Sequence, residues 1–484
     1  MASTEQKTSQ TQPNPHALIF ALHLQGHVNP SVNLAVKLAS QGFTITFVNT
    51  ELTHHKITTS QLNENDDDIF VVARKTGLDI RYTTVSDGFP LSFDRAANFE
   101  EFLNGNLEVF PSFVDQVVGK IVESDPSVCC LIADTFFGWP SMIAKKYNLV
   151  NVSFWTEPAL VFSLYYHLDL LKINGHFAAK ENRDDSIGYI PGVKAIEPKD
   201  LPSYLQETDL SKTLMHQIIN KGFQDVKNAD FILCNTIQEL ENDVVSALIE
   251  KQPFYTIGPL FPPGFLKSVV PTNFWSEFDC TQWLNDKPRG TVLYVSFGSM
   301  SVTDKATFEE IANGLLLSQV NFIWVLRRGL VKGEQNDVVW GGFEEEVRGR
   351  GLIVPWCNQI EVISHPAIGG FLTHCGWNSM LEGVWCGLPL LCFPLFTDQL
   401  TNRKMVVDDW RAGLNLCDRK PLMRVEVAEK ISRLMSGNSG QNLRKEVKQV
   451  KKTLENALAK DGSSQKNFCQ FISNVKDKIT KLRK

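Results

Sequence analysis

FALHLQGHVNPSVNLAVKLASQGFTITFVNT, Phe20 to Thr50, holds the pattern that decides the fold. The chain is apolar from Ala17, turns at Gly26, and then places Val28, Val32, Ala35, Leu38 and Ala39 at helical spacing. Gly42 stops that helix, and the β-branched and aromatic run FTITFVN reads as a second strand. A strand, a helix and a strand in this order form a βαβ unit, which implies a parallel sheet and a right-handed crossover. In doubly wound sheets ligands bind beyond the carboxyl ends of the strands. The turn holding His27 lies there, with His23 four residues earlier.

Further strands are expected at DIFVVAR, CCLIADTFF, NLVNVSFW and ADFILCN. Ile257 to Phe274 contains Pro259, Pro262, Pro263 and Pro271 and reads as a linker. After it the α/β rhythm restarts with GTVLYVSFGSM, a helix through ATFEEIANGLLLSQ, and strands at NFIWVLRR, GLIVPW, GGFLTHCGW and LPLLCFPL. The expected organisation is a disordered tail (1–15), a first α/β domain (16–256), the linker (257–274), a second α/β domain (275–462) and a terminal helix (463–484). In that last helix Phe468, Ile472, Val475 and Ile479 share one face, with Ser463 or Ser464 as N-cap. Its lysines alternate with acidic residues, which favours packing back on the first domain over a membrane surface.

At 484 residues the chain exceeds one compact core, and its 43% apolar and 21% charged residues are those of a globular protein. A net charge of -6 argues against a general nucleic-acid partner. No apolar run reaches the ~18 residues that cross a bilayer, and the polar start lacks a secretory or transit pattern. Ten cysteines without a Cys-x-x-Cys pair suit buried thiols in a reducing cytosol better than disulfides or zinc. The acidic run Asn63 to Asp68 reads as a solvated loop, since no turn glycine completes a calcium loop. A soluble, cytoplasmic monomer is expected.

The longest motif runs from Trp356 to Gln399, WCNQIEVISHPAIGGFLTHCGWNSMLEGVWCGLPLLCFPLFTDQ. The strand GGFLT leads into HCGWNS, where a helix starts; backbone N–H groups and the positive dipole end there suit a phosphate. Gly376 permits close approach, and His374, Asn378 and Ser379 add side-chain donors. Glu382 lies one turn on, placed for ribose hydroxyls, and Trp356 offers a flat face to a base. Asp398 and Gln399 bring polar groups suited to sugar hydroxyls. Each element alone is common in α/β proteins, whereas the combination at this length is specific.

The motif resembles, almost position for position, the signature box of plant family 1 UDP-sugar glycosyltransferases, and the resemblance extends along the chain from about Pro15. It implies the GT-B architecture: two Rossmann-like doubly wound parallel-sheet domains facing a cleft, acceptor mainly on the first and UDP-sugar mainly on the second. By that resemblance Trp356 stacks on uracil, Gln359 and Glu382 hold the ribose, and His374, Asn378, Ser379 and Ser299 contact the phosphates. Trp377, Asp398, Gln399 and Thr156 surround the sugar. Gln399 accompanies UDP-glucose in this family, where histidine accompanies UDP-galactose, so glucose is expected, with galactose, xylose or glucuronic acid as alternatives. His27 matches the catalytic histidine and Asp134, in LIADTFF, its carboxylate partner. The histidine takes the acceptor proton during inverting displacement, and UDP leaves into the donors at the Ser379 helix start, so neither metal nor cofactor is required.

One departure is His23, where relatives carry proline; it is expected to end the strand with its side chain turned aside. A nucleotide-sugar-binding protein without turnover is the rival reading, opposed by His27, Asp134 and the box. A nicotinamide oxidoreductase is opposed by the first turn, which lacks Gly-x-Gly-x-x-Gly. The expected acceptor is a small lipophilic molecule with a hydroxyl or carboxyl group, suggested by the aromatic stretches TFFGWP and FSLYYHL.

Overall fold

The computed structural model describes residues 14–60, 68–179, 183–207, 213–266, 270–332, 342–418 and 421–483. The expected tail through residue 13 and Asn63 to Asp67 of the acidic run lie outside the described residues.

Two parallel sheets organise the chain. The first contains β1 (His16–Phe20), β2 (Thr44–Thr50), β3 (Ile80–Val85), β4 (Val128–Asp134), β5 (Val150–Trp155), β6 (Phe231–Cys234) and β7 (Phe254–Thr256), in the order β3-β2-β1-β4-β5-β6-β7. The second contains β8 (Val292–Ser296), β9 (Asn321–Val325), β10 (Gly351–Val354), β11 (Ile368–Thr373), β12 (Leu390–Cys392) and β13 (Gly413–Asn415), in the order β10-β9-β8-β11-β12-β13. Every ladder within them is parallel. Both run outward from their first strand and reverse beside it, at β1/β4 and β8/β11. Those are the switch points where connections diverge and leave a crevice. β1, β2, β4 and β5 are buried at every residue because helices cover both faces.

The helix Gln25–Ala39 starts earlier than its sequence suggests, so His27 occupies its first turn rather than the preceding loop. Its apolar stripe packs under β1 and β2. Asp304 opens the helix Lys305–Ser318 by accepting the Thr307 N–H at 2.9 Å, and Gln319 ends it in the left-handed region at φ 56°.

DIFVVAR forms no strand. Asp68 accepts the Phe70 N–H at 2.8 Å, and a short helix, Val71–Lys75, buries Phe70 and Ala73. β3 takes the expected place beside β2. Short apolar runs carry no period that separates strand from helix, so tertiary packing decides.

The helix Ser463–Leu482 buries Phe468, Phe471, Val475 and Ile479 in the core of the first sheet. Each is worth about 2 kcal/mol by burial of apolar surface. Its N-cap is Gly462 rather than a serine: Ser464 Oγ donates to the Gly258 carbonyl at 2.5 Å, and Ser463 Oγ to Glu239 at 2.8 Å. Among the described residues no helix is long and apolar enough to cross a membrane.

Candidate active site

The two switch points face one another. Pro30 has no N–H to give the Gly26 carbonyl, its partner one turn back in the helix. Asn378 Nδ2, from the second half, donates to that carbonyl at 2.7 Å. Asn378 Oδ1 in turn accepts from Asn235 Nδ2 at 3.3 Å, and Trp377 Nε1 donates to the Asn235 carbonyl at 2.7 Å. A proline-vacated carbonyl and one asparagine thus join the halves.

A cavity of about 220 Å³ lies at this junction, lined by Gly26, Ser299, Trp356, Gln359, His374, Trp377, Asn378, Ser379 and Glu382. Trp356 leaves β10 and lies against Trp275, with ring centroids 4.5 Å apart. Gln359 Nε2 donates to Ser379 Oγ at 3.0 Å and to Glu382 Oε2 at 2.6 Å. The three polar residues spaced along the motif therefore form one network. His374 follows β11, and Cβ atoms at Gly298 or Gly376 would come within 2.5 Å of its Nε2. These glycines make room for the imidazole, whereas Gly376 was expected to permit close approach of a ligand.

A larger cavity, about 630 Å³, adjoins it on the side of the first sheet. His27, Phe136, Trp139, Tyr165, Tyr204, Asp398 and Gln399 contribute to its wall. His27 Nδ1–H donates to Asp134 Oδ2 at 2.7 Å, and Thr156 Oγ1 lies 3.0 Å from the same nitrogen. Asp134 ends β4, next to β1, so the sheet register brings the carboxylate to the imidazole. Thr156 thus stands beside the imidazole and lines neither cavity. His23 is not turned aside: β1 ends at Phe20, and the bend from Leu22 to Leu24 carries His23 onto the cavity wall, edge-on to Phe102 at 4.9 Å.

Asp398 ends a strongly tied loop, and Gln399 opens the helix Gln399–Lys404. Gln399 Oε1 accepts the Leu395 and Phe396 N–H groups at 2.9 and 3.2 Å. Asp398 accepts from Thr397 Oγ1 at 2.7 Å and from Asn402 Nδ2. The first half holds both the loop and the helix: Thr397 N–H donates to Ser203 Oγ at 2.8 Å, Thr401 Oγ1 to the Asp200 carbonyl at 2.6 Å, and Arg403 pairs with Asp200.

The model of the family described as "UDP-glucoronosyl and UDP-glucosyl transferase" matches residues 277–440. UDP-glycosyltransferase 86A1 of Arabidopsis thaliana is 56% identical over 474 residues, covering 97% of this chain and 96% of that protein. The chain is a plant family 1 UDP-glycosyltransferase. A 7-deoxyloganetin glucosyltransferase of Gardenia jasminoides is 35% identical over 480 residues, with 95% of this chain and 97% of that protein covered. The crystal structure of Os79 from O. sativa in complex with UDP superposes with a TM-score of 0.78 at 25% identity, covering 95% of this chain and 100% of that one. The two-sheet architecture is therefore the GT-B fold.

In this UDP-glycosyltransferase burial sets the charges around the cavities. It brings His374 down to about 4, keeping the ring neutral at pH 7, and raises Glu382 to about 7 against the opposing hydrogen bond from Gln359. Asp398 is also raised by burial, opposed by its Thr397 and Asn402 bonds. Motif spacing did not point to two groups that shape the site. Arg327, after β9, donates from Nε to the Gly298 carbonyl at 3.0 Å and from Nη2 to the Ser301 carbonyl, clamping the loop of Ser299. Glu157 lines the larger cavity, and its place directly after Thr156 was the one available signal.

Proposed function

We propose that this UDP-glycosyltransferase, acting in the cytosol as a monomer, moves glucose from UDP-glucose to a hydroxyl or carboxyl group of a small lipophilic acceptor, inverting the anomeric centre. The observation that carries the reading is the 2.7 Å hydrogen bond from His27 to Asp134 on the wall of a large, aromatic-lined cavity. With Nδ1–H given to the carboxylate, Nε2 is the basic nitrogen. It takes the acceptor proton as the acceptor oxygen attacks the anomeric carbon, and Asp134 stabilises the resulting imidazolium. The bond to UDP breaks on the opposite face. Ser299, His374, Asn378 and Ser379 receive the phosphates, aided by the N-terminal end of the helix Trp377–Trp385. Trp356 takes the uracil, and Gln359 with Glu382 the ribose.

Trp377, Asp398 and Gln399 are assigned to the sugar. Thr156 is assigned with them by the resemblance alone: its Oγ1 shares the His27 Nδ1–H with Asp134 from beside the imidazole. Glucose is supported by Gln399 at the end of the motif and by the glucosyltransferase named among the relatives. The cytosol is supported by ten free thiols, which suit a reducing compartment.

The test is UDP release from UDP-glucose across phenols, terpenols and carboxylic acids, with product linkage and anomeric configuration determined. Transfer with inversion that is lost in His27→Ala is expected. Turnover with another UDP-sugar only would overturn the donor, and a wild-type chain inactive with every donor and acceptor would overturn the reading.

A further inference from the structure

We propose that Glu157 selects the acceptor: its carboxyl hydrogen-bonds a second oxygen of a lipophilic molecule whose first hydroxyl faces His27. The inference rests on the transferase reading and deepens it. Glu157 follows Thr156 after β5 and lines the larger cavity. Its Oε2 is buried and has no hydrogen-bond partner among the described residues. A buried polar atom left without a partner lowers stability, so native structures hold few of them, and one on a side chain that lines a cavity gains its partner from a ligand by a turn of the carboxyl group. Phe136, Tyr165 and Tyr204 line the same cavity, with the Asp398 carboxyl also nearby, so this carboxyl stands where aromatic wall meets polar wall. Such a wall orients an otherwise oily molecule by one polar contact.

The chemistry of that contact follows from its surroundings. Burial, and then the nearby charges of Asp398 and Asp134, raise Glu157 well above the usual carboxylate range. Tyr165 and Tyr204 face it from the helices Ala159–Tyr166 and Ser203–Gln206 and are themselves raised by burial first and by Glu157 second. Burial beside these groups favours the neutral carboxyl, whose O–H is a donor that suits a carbonyl, ether or hydroxyl oxygen. A site built around such a donor rejects an analogue that lacks the oxygen far more strongly than a site of apolar contacts discriminates size.

The experiment compares wild type, Glu157→Leu and Glu157→Gln on three acceptors of one shape: para-butylphenol, its chain ketone and its chain amine, all with UDP-glucose. Wild type should favour the ketone over the alkylphenol in kcat/KM. Glu157→Leu should shrink that preference about tenfold or more while the KM for UDP-glucose stays put. Glu157→Gln, which keeps an N–H donor, should retain most of it. Thermal unfolding supplies an independent measurement: removing an unpaired buried carboxyl should raise Tm in the leucine variant.

Four results would overturn the inference: no ketone preference in wild type, a preference untouched in the leucine variant, a preferred amine that is lost in the glutamine variant, or a raised KM for UDP-glucose with acceptor preference unchanged. A lowered Tm in both variants would make Glu157 structural. A wild type inactive with all donors and acceptors would sink the transferase reading itself, whereas the other outcomes bear on Glu157 alone.

Discussion

At the residue scale the site turns on two histidines four positions apart. His27→Ala should lower kcat by about 10²- to 10⁴-fold, the usual worth of a positioned base, while UDP still raises Tm. Near-normal turnover in that variant would remove His27 from the chemistry. His23 makes a different prediction. Burial, ahead of the opposing pull of Asp87, lowers it from its ordinary 6.5 to about 4. The folded chain thus keeps the ring neutral where the unfolded chain takes a proton. Stability from this group is complete above pH 6.5 and drains away as the pH falls toward about 4, with His374 adding to the same slope. In His23→Gln the decline of Tm across that window should be shallower; an identical slope would show that His23 titrates alike in both states. The role proposed for His27 came from its match to the family's histidine within a longer pattern, since a lone histidine in a turn is more often structural or merely exposed. His23 was not legible, because the bend that aims it depends on where β1 ends.

At the element scale, strands buried on both faces announce themselves as apolar β-branched runs, and β1, β2, β4, β5, β8 and β11 were readable for that reason. β3, with exposed Arg81 and half-buried Tyr82, Thr83 and Thr84, was not, since a strand at the sheet's edge needs no continuous apolar run. Helix starts were harder still. The helix Ala159–Tyr166 follows Pro158, which makes no side-chain cap. Its first amides, Ala159 and Leu160, donate instead to Glu241 at 3.0 and 2.7 Å, and Thr236 Oγ1 donates to the same carboxylate. A cap supplied from 80 residues away leaves no local signal. Glu241→Ala should cost about 2 kcal/mol, the penalty for stranding buried donors, read as a lower midpoint in urea. Because this helix carries Tyr165 to the larger cavity, where the acceptor is proposed to bind, KM for the acceptor should rise more than KM for UDP-glucose. Unchanged stability would mean that water replaces the carboxylate.

At the scale of the whole molecule, function depends on how the halves meet. Arg403 and Asp200 pair across the junction, 14% and 5% exposed, beside the loop of Asp398 and Gln399. Removing one member of a buried pair leaves the other uncompensated, so Arg403→Met should destabilise by about 3 kcal/mol. It should also raise KM for UDP-glucose, as the loop loses a tether to the first half; an unaltered KM at saturating acceptor would detach the pair from donor binding. By itself the amino-acid sequence determined the two doubly wound sheets, the family and most of the groups around the smaller cavity, because periodicity, turn residues and a dense motif are local properties. Only the tertiary structure decided that Asn378 fills the carbonyl left open by Pro30, that Thr156 stands behind His27, that His23 faces the larger cavity and that Glu157 lines it with a buried Oε2 that has no partner among the described residues. Those outcomes depend on distances between residues far apart in the chain, and local patterning carries no record of such distances.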